Sequence, residues 1–137
     1  MSASPVRVAL YERLKNTAAL TSQLSAPTAI HYHVAPQSAQ FPLVVFGELD
    51  GRPEWAFQGA AFERDVWQVR GVATSATKAD EIGRQIALTL DDAPLSPAGV
   101  AVLYLRRRSR IAYAEQDGAT TYWHQGWQFS LVTEPSS

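Results

Sequence analysis

The sequence predicts an α+β fold, with a mainly antiparallel β-sheet, two principal helices packed on one face and a long C-terminal β-hairpin. In two segments apolar residues recur at the period of an amphipathic helix. The segments between them and the last third of the chain are rich in β-branched and aromatic residues, as strands are. Neither a linker nor an internal repeat interrupts the 137 residues, so we expect a single domain over residues 1–137.

The composition is that of a chain able to form a hydrophobic core without covalent staples. Hydrophobic residues make up 46% of it and charged residues 18%, and cysteine is absent, which excludes disulfides and thiolate chemistry. No apolar stretch approaches the ~20 residues that span a bilayer, and the first residues lack a signal-peptide pattern. We therefore expect a soluble, intracellular protein. The net charge of −1 argues against a general nucleic-acid-binding surface.

The N-terminal third predicts a helix, a short second helix and a strand. Ser4 is suited to the N-cap and Pro5 to the first helical position. Thr17–Leu24 predicts the second helix, and Ile30–Val34 predicts the strand. Three apolar residues four positions apart form the stripe by which the first helix packs: Val6, Leu10 and Leu14.

The middle of the chain predicts two strands. Leu43–Phe46 is entirely apolar, as in an inner strand, and Asp50–Pro53 has the residue types of a turn. Phe62–Ala73 alternates, and we expect one of its faces to be formed by Trp67, Val69, Gly71 and Ala73.

The best-marked helix follows these strands. Ser75 or Thr77 begins it, Asp80 and Glu81 are expected in its first turn, and Pro94 lies beyond its end. Its buried stripe is predicted to be Ala79, Ile82, Ile86 and Leu90.

The last third predicts a long hairpin. One arm runs from Val100 to about Tyr113, Asp117-Gly118 marks the turn, and Thr120–Thr133 returns. On the return arm one face carries Trp123, Gln125, Trp127, Phe129 and Leu131. We expect the preceding helix to lie across the sheet, in a core containing Trp67, Ile82, Ile86, Trp127 and Phe129.

Catalytic and metal-binding patterns are weak. His31 and His33 lie two apart on a strand and so share a side. A metal site would need further ligands, for which only His124 or scattered carboxylates remain, and packing near a strand end is the simpler interpretation. There is no nucleophile motif and no glycine-rich phosphate loop. The acidic pairs Glu48/Asp50 and Asp91/Asp92 flank predicted turns, where solvated carboxylates are ordinary. We expect no enzyme, no metal and no cofactor.

An arginine run is the feature that packing does not explain. Leu103 and Leu105 are expected to face the core, and the hairpin beyond them is expected to overhang the domain. A solvated tip that discourages edge-to-edge pairing is one interpretation. A contact surface for carboxylates or phosphates is the other, favoured because the chain has ten arginines but only two lysines. The run consists of Arg106, Arg107, Arg108 and Arg110.

Several segments together resemble the tail-completion (tail-terminator) proteins of long-tailed phages and phage-like particles, such as prophages and gene-transfer agents. The resemblance covers almost the whole chain and includes the initial helix. Its segments are Ile30–Gln37 (IHYHVAPQ), Phe41–Phe46 (FPLVVF), Trp67–Ala73 (WQVRGVA), the helix over Ala79–Leu90 and the closing strand through Phe129–Val132.

The resemblance implies a structural virion protein without catalytic residues. It implies a hexameric ring on the end of the tail tube, which stops tube polymerisation, docks the head connector and lets DNA pass. Such a protein works in the tail neck and is assembled in the bacterial cytoplasm. The alternatives are another head–tail joining or neck protein, or a small nucleic-acid or ligand-binding module that uses the arginine run.

Within a ring, the arginine run is expected to contact acidic residues of the next subunit or of the tube end, because four neighbouring arginines repel one another and add nothing to an isolated subunit. The candidate acidic residues at this protein–protein interface are Glu48, Asp50, Asp91 and Asp92. The alternative is that the arginines line the channel and touch DNA phosphates, although many such contacts would hinder a passing genome.

Overall fold

A five-stranded sheet carries the helices in the computed structural model, which describes residues 4–55 and 61–135. The strand order is β1-β2-β3-β5-β4; β1 and β2 are parallel and the other neighbours are antiparallel, so the predicted α+β class is confirmed. In chain order the elements are α1 (Pro5–Lys15), α2 (Ala18–Thr21), β1 (Ile30–Tyr32), β2 (Leu43–Trp55), β3 (Ala61–Ala73), α3 (Ala76–Leu90), β4 (Val100–Asp117) and β5 (Thr120–Pro135).

The first helix packs by the predicted stripe, since Val6, Leu10 and Leu14 are all buried. It contacts both α2 and α3, and the Arg13 Nε donates to the Thr89 carbonyl at 3.0 Å. The second helix is a single turn of four residues, shorter than the predicted Thr17–Leu24. Leu20 and Leu24 are nevertheless buried, so the apolar pattern of that segment serves the core.

The third helix starts where its cap predicts. The Ser75 side chain accepts a hydrogen bond from the Lys78 backbone N–H at 3.3 Å, and the helix begins at Ala76. Because of this start, Asp80 and Glu81 lie beyond the first turn, and their predicted place there is wrong. The predicted buried stripe is confirmed: Ala79, Ile82, Ile86 and Leu90 are all fully buried.

Two glycines bring α3 unusually close to the sheet. A Cβ on Gly71 of β3 would lie 2.2 Å from the Ile82 Cγ2, a distance that real contacts exclude. A Cβ on Gly83 would lie 3.1 Å from the Gln125 Cβ. The Trp127 indole N–H then reaches the Gly83 carbonyl at 3.1 Å. Trp127 packs at the border of the predicted core, which also contains Trp67, Ile82, Ile86 and Phe129.

Two strand limits differ from the sequence prediction. Asp50–Pro53 is not a turn but continues β2, where Asp50 pairs with Val66 and Gly51 with Asp65. A register shift between Glu48 and Asp50 accommodates these turn-type residues within the strand. The first strand ends at Tyr32 rather than Val34, because His33 has a positive φ of 61°.

The long hairpin is confirmed, with its turn at Gly118, which has a positive φ of 62°. Its first arm, β4, forms an edge of the sheet. Leu105 is buried, but Leu103 is 47% exposed, so its predicted place in the core is wrong. The cause is a register shift between Val102 and Tyr104, which leaves Leu103 without a cross-strand partner.

Replacing Ile86 by alanine should lower the free energy of unfolding by about 2–5 kcal/mol, because a fully buried side chain would leave a cavity between α3 and the sheet. Urea unfolding followed by fluorescence measures the change. Leu88→Ala is the matched control on the same helix, since Leu88 is 69% exposed, and it should cost less than about 0.5 kcal/mol. Equal effects of the two substitutions would mean that the helix register is wrong.

Candidate functional site

Two charged surfaces lie on the sheet. The first, here called the arginine surface, consists of Arg106, Arg107, Arg108 and Arg110 on the edge strand β4. The second, here called the acidic cleft, is a concave region of about 460 Å³ that is lined by residues of all five strands and by the start of α1. Four carboxylates line it: Glu48, Asp50, Glu63 and Asp65.

Arg107 binds Asp91, the residue that follows α3. Its backbone N–H and its Nε donate to the two carboxylate oxygens of Asp91 at 2.9 and 2.8 Å, and its guanidinium lies 4.9 Å from the Trp127 ring centroid. The hydrogen bond from the Arg107 backbone, and then its side chain, hold the pKa of Asp91 below its ordinary value. Arg107 and Asp91 therefore serve the internal packing of the subunit.

Arg106 forms a more exposed pair with the next aspartate. Its Nε lies 3.3 Å from the Asp92 Oδ1, and both side chains are largely in solvent. Asp92 is placed by a positive φ of 59° and by its N–H, which donates to the Leu105 carbonyl at 2.9 Å. The expectation that the arginines add nothing to an isolated subunit is thus wrong for two of them, since Asp91 and Asp92 pair with them within the chain.

Arg108 and Arg110 are engaged least. Arg110 donates one hydrogen bond, to the Gln125 side chain at 3.1 Å. Arg108 is exposed and lies at a register shift between Arg107 and Ser109. Among residues 4–55 and 61–135 its side chain has neither a hydrogen bond nor an ion pair, so it is the freest cation of the run.

The acidic cleft follows from the pairing of β2 with β3. Glu48 lies opposite Trp67, and Gly51 lies opposite Asp65. The missing side chain at Gly51 makes room for the Asp65 carboxylate, because a Cβ there would lie 2.4 Å from its Oδ1. Sequence reasoning missed Glu63 and Asp65. Their spacing could have indicated them, because Glu63 and Asp65 lie two and four positions before the buried Trp67 in β3 and so share its face.

Burial and neighbouring groups shift the pKa values of two carboxyls in the acidic cleft. Burial, and then the neighbouring carboxylates of Glu63, Glu48 and Asp50, raise the pKa of Asp65 to about 6. Glu48 behaves differently: burial alone would raise its pKa, but hydrogen bonds from Tyr32 and His33 outweigh burial and lower it. The cleft therefore contains one carboxyl that ionises more readily than usual, that of Glu48, and one that ionises less readily, that of Asp65.

The wall of the cleft also contains an unsatisfied donor. Trp67 lines it and is 2% exposed, and its indole Nε1–H has no acceptor among the described residues. A buried donor without an acceptor costs free energy, on the order of 1–3 kcal/mol.

The histidines do not form the metal pair that their spacing allows. His33 lies past the end of β1, and its Nε2 is 3.0 Å from the Glu48 Oε1. Within the described part of the chain no three histidine or acidic side chains are grouped to hold a metal ion. The helices of that same part include none long and apolar enough to cross a membrane.

A third histidine, His124, connects three strands of the sheet through its side-chain contacts. Its Nδ1 accepts from the Arg70 Nε at 3.1 Å, and its Nε2 lies 2.6 Å from a Glu115 oxygen. The Tyr113 ring stacks on it at 4.3 Å. Burial lowers its pKa, although Glu115 acts in the opposite direction. A neutral imidazole thus joins β3, β5 and β4, and sequence reasoning gave it no role beyond that of a possible extra metal ligand.

The fold defines a class of protein, a small α+β subunit with two charged surfaces on its sheet. The family model described as "Tail completion protein gp17" matches residues 8–134. The chain belongs to this family and is a structural protein of phage-type tails.

Solved structures have the same fold. One is a chain of the virion of a native gene transfer agent particle, with a TM-score of 0.77, 16% identity, and coverage of 93% of this chain and 94% of that one. A second solved chain has a TM-score of 0.54 and 16% identity, covering 100% of this chain and 97% of the other. No curated protein sequence matches the chain.

Asp65→Asn should make stability less dependent on pH. A carboxyl whose pKa is raised to about 6 in the folded state stabilises the fold below its unfolded pKa of about 3.8, and this contribution is lost as the pH rises through 6. The variant avoids that loss, so its free energy of unfolding should gain on that of the wild type between pH 4 and 7. Urea titrations across this range measure the difference. Asp117→Asn, at the exposed end of β4, is the control and should run parallel to the wild type.

Proposed function

We propose that this protein forms a homo-oligomeric, hexameric ring that caps the end of a tail tube. The ring terminates tail polymerisation and joins the tail to the head connector. The observation that carries the proposal is the family match over residues 8–134, nearly the whole chain. The fold shared with a chain of a gene transfer agent virion, along almost the full length of both, supports it.

The charge distribution suits a ring. Head-to-tail contacts generate a closed ring when each subunit offers two different, complementary surfaces. The arginine surface lies on β4, whereas the carboxylates of the acidic cleft lie on β2 and β3, so the two surfaces are of opposite sign and come from different strands. One subunit therefore offers both halves of a repeated contact.

The partners follow from this position in the tail neck of the virion. One face of the ring contacts the tail tube protein and the other contacts the head connector or stopper protein, and DNA passes through without sequence-specific binding. The internal pairs of Arg106 with Asp92 and Arg107 with Asp91 support this role, because they reduce the positive charge available to phosphates. The role is structural rather than enzymatic, and assembly takes place in the host cytoplasm.

The purified protein should form a species of six times the 15.0 kDa subunit, alone or on tube ends. Native mass spectrometry measures the first, and electron microscopy of tubes polymerised with and without the protein measures the second. Tubes should be shorter and carry a ring at one end. A monomer that leaves tube length unchanged would contradict the proposal. If that monomer instead bound duplex DNA with a steep salt dependence, a nucleic-acid-binding module would replace it. A ring that binds only the head connector would indicate another neck protein.

A further inference from the structure

We propose that the tip of the β4–β5 hairpin of one subunit enters a basic groove between α3 and β4 of the next subunit. The hairpin tip is the segment Glu115–Tyr122, which contains the turn between the two strands. This inference rests on the proposed ring. It assigns the arginine surface to an acidic partner other than the acidic cleft, in which Glu48 and Asp50 already have interactions within their own subunit.

The basic groove consists of two adjoining concavities of about 450 and 220 Å³ that share Arg107 and Trp127. Residues of α3, β4 and β5 line it, together with the segment that follows α3. Five arginines and three aspartates give its lining a net charge of +2. These charged residues are the arginine surface and Arg84, and the aspartates Asp80, Asp91 and Asp92.

Two of these arginines have no partner within the part of the chain that the structure describes. Arg84 on α3 and Arg108 on β4 are exposed, and neither has a hydrogen bond or an ion pair with a residue of 4–55 or 61–135. Arg107, by contrast, is held by Asp91. A guanidinium group binds a carboxylate through two parallel hydrogen bonds, so Arg84 and Arg108 are available to an incoming carboxylate.

The hairpin tip has the complementary charge. The pairing of β3 with β5 ends at Ala73 and Trp123, so the tip extends beyond β3 as a two-stranded ribbon. Its only charged residues are Glu115 and Asp117, and both are exposed. Glu115 binds His124 of the same subunit, whereas Asp117 has neither a hydrogen bond nor an ion pair among the described residues. The end of the tip therefore offers a free carboxylate.

The tip and the groove of one subunit are too far apart to meet. Asp117 lies seven positions beyond Arg110 in β4. A rise of about 3.3 Å per residue separates the two by roughly 23 Å along the strand. The contact therefore joins two copies of the chain. Because the tip and the groove are different surfaces, the contact can repeat around a ring.

The lining of the groove favours a protein segment over nucleic acid. Its three aspartates would repel the evenly spaced charges of a phosphate backbone. A hairpin with two carboxylates need not lie against these aspartates. The flat ring of Trp127, which lies 4.9 Å from the Arg107 guanidinium, adds an apolar wall against which a protein segment can pack.

Charge exchange between two variants tests the contact. The groove variant is Arg84→Glu with Arg108→Glu. The tip variant is Asp117→Arg with Glu115→Gln, in which the glutamine keeps an acceptor for His124. Each variant alone should associate at least about tenfold more weakly than the wild type, because groove and tip then carry charges of the same sign.

An equimolar mixture of the two variants should regain rings in which they alternate. The acidic tip of the groove variant then meets a basic groove, and the basic tip of the other meets an acidic one. Native mass spectrometry distinguishes alternating rings by mass. A mixture that remains unassembled would contradict the pairing of these two surfaces.

Controls separate folding from assembly. Circular dichroism checks each variant, and Arg84→Gln with Arg108→Gln replaces the groove variant if that one does not fold; it should also weaken association. Lys15→Glu with Lys78→Glu makes the same change of charge on α1 and α3 outside the groove, and should leave the ring intact.

The outcomes distinguish this contact from the ring itself. Normal rings from the groove variant or from the tip variant overturn the contact while the ring stands. Normal rings that no longer cap tubes assign the groove to the tube protein instead, and normal rings that lose affinity for duplex DNA assign it to DNA. A wild type without any ring overturns the proposed function as well.

Discussion

The close approach of α3 to the β3–β5 pair is the contact on which the rest of the structure depends. It exists because Gly71 has no side chain where the branched Ile82 packs, and because Gly83 lies directly over Gln125. With the helix held at this distance, its C-terminal end brings Asp91 and Asp92 to β4. The two charged pairs at the edge of the sheet are thus a consequence of packing at its centre. A side chain larger than glycine at position 71 would disturb the packing and, through it, the charged pairs.

Much of the fold could be predicted from the sequence because its periodicities are long and consistent. The stripes of α1 and α3 each specify a buried face over several helical turns. Two of the wrong predictions result from register shifts between neighbouring strands. Turn-type residues at Asp50–Pro53 are carried within β2 by a register shift, and a second shift turns Leu103 outward. The sequence of one strand does not show where such a shift occurs, because the shift depends on how that strand pairs with its neighbour.

The candidate site could be predicted only in part. The run of four arginines within five positions can be recognised from the sequence alone. Their partners cannot, because these depend on where the end of α3 lies relative to β4. Asp91 and Asp92 were predicted to meet arginines of the next subunit, and the structure pairs them with Arg107 and Arg106 of their own chain. Glu63 and Asp65 were overlooked because the sequence does not show which strand pairs with β3. Only the pairing of β2 with β3 shows that they converge with Glu48.

The irregular edge of β4 has a consequence for how the subunit behaves before assembly. An 18-residue edge strand is a template on which another copy of the sheet could grow into a fibril. Two register shifts break its hydrogen-bonding ladder, and a second β4 laid against it would bring arginines together. Backbone-driven aggregation is thereby discouraged. Association at this edge is then left to side-chain contacts rather than to backbone pairing.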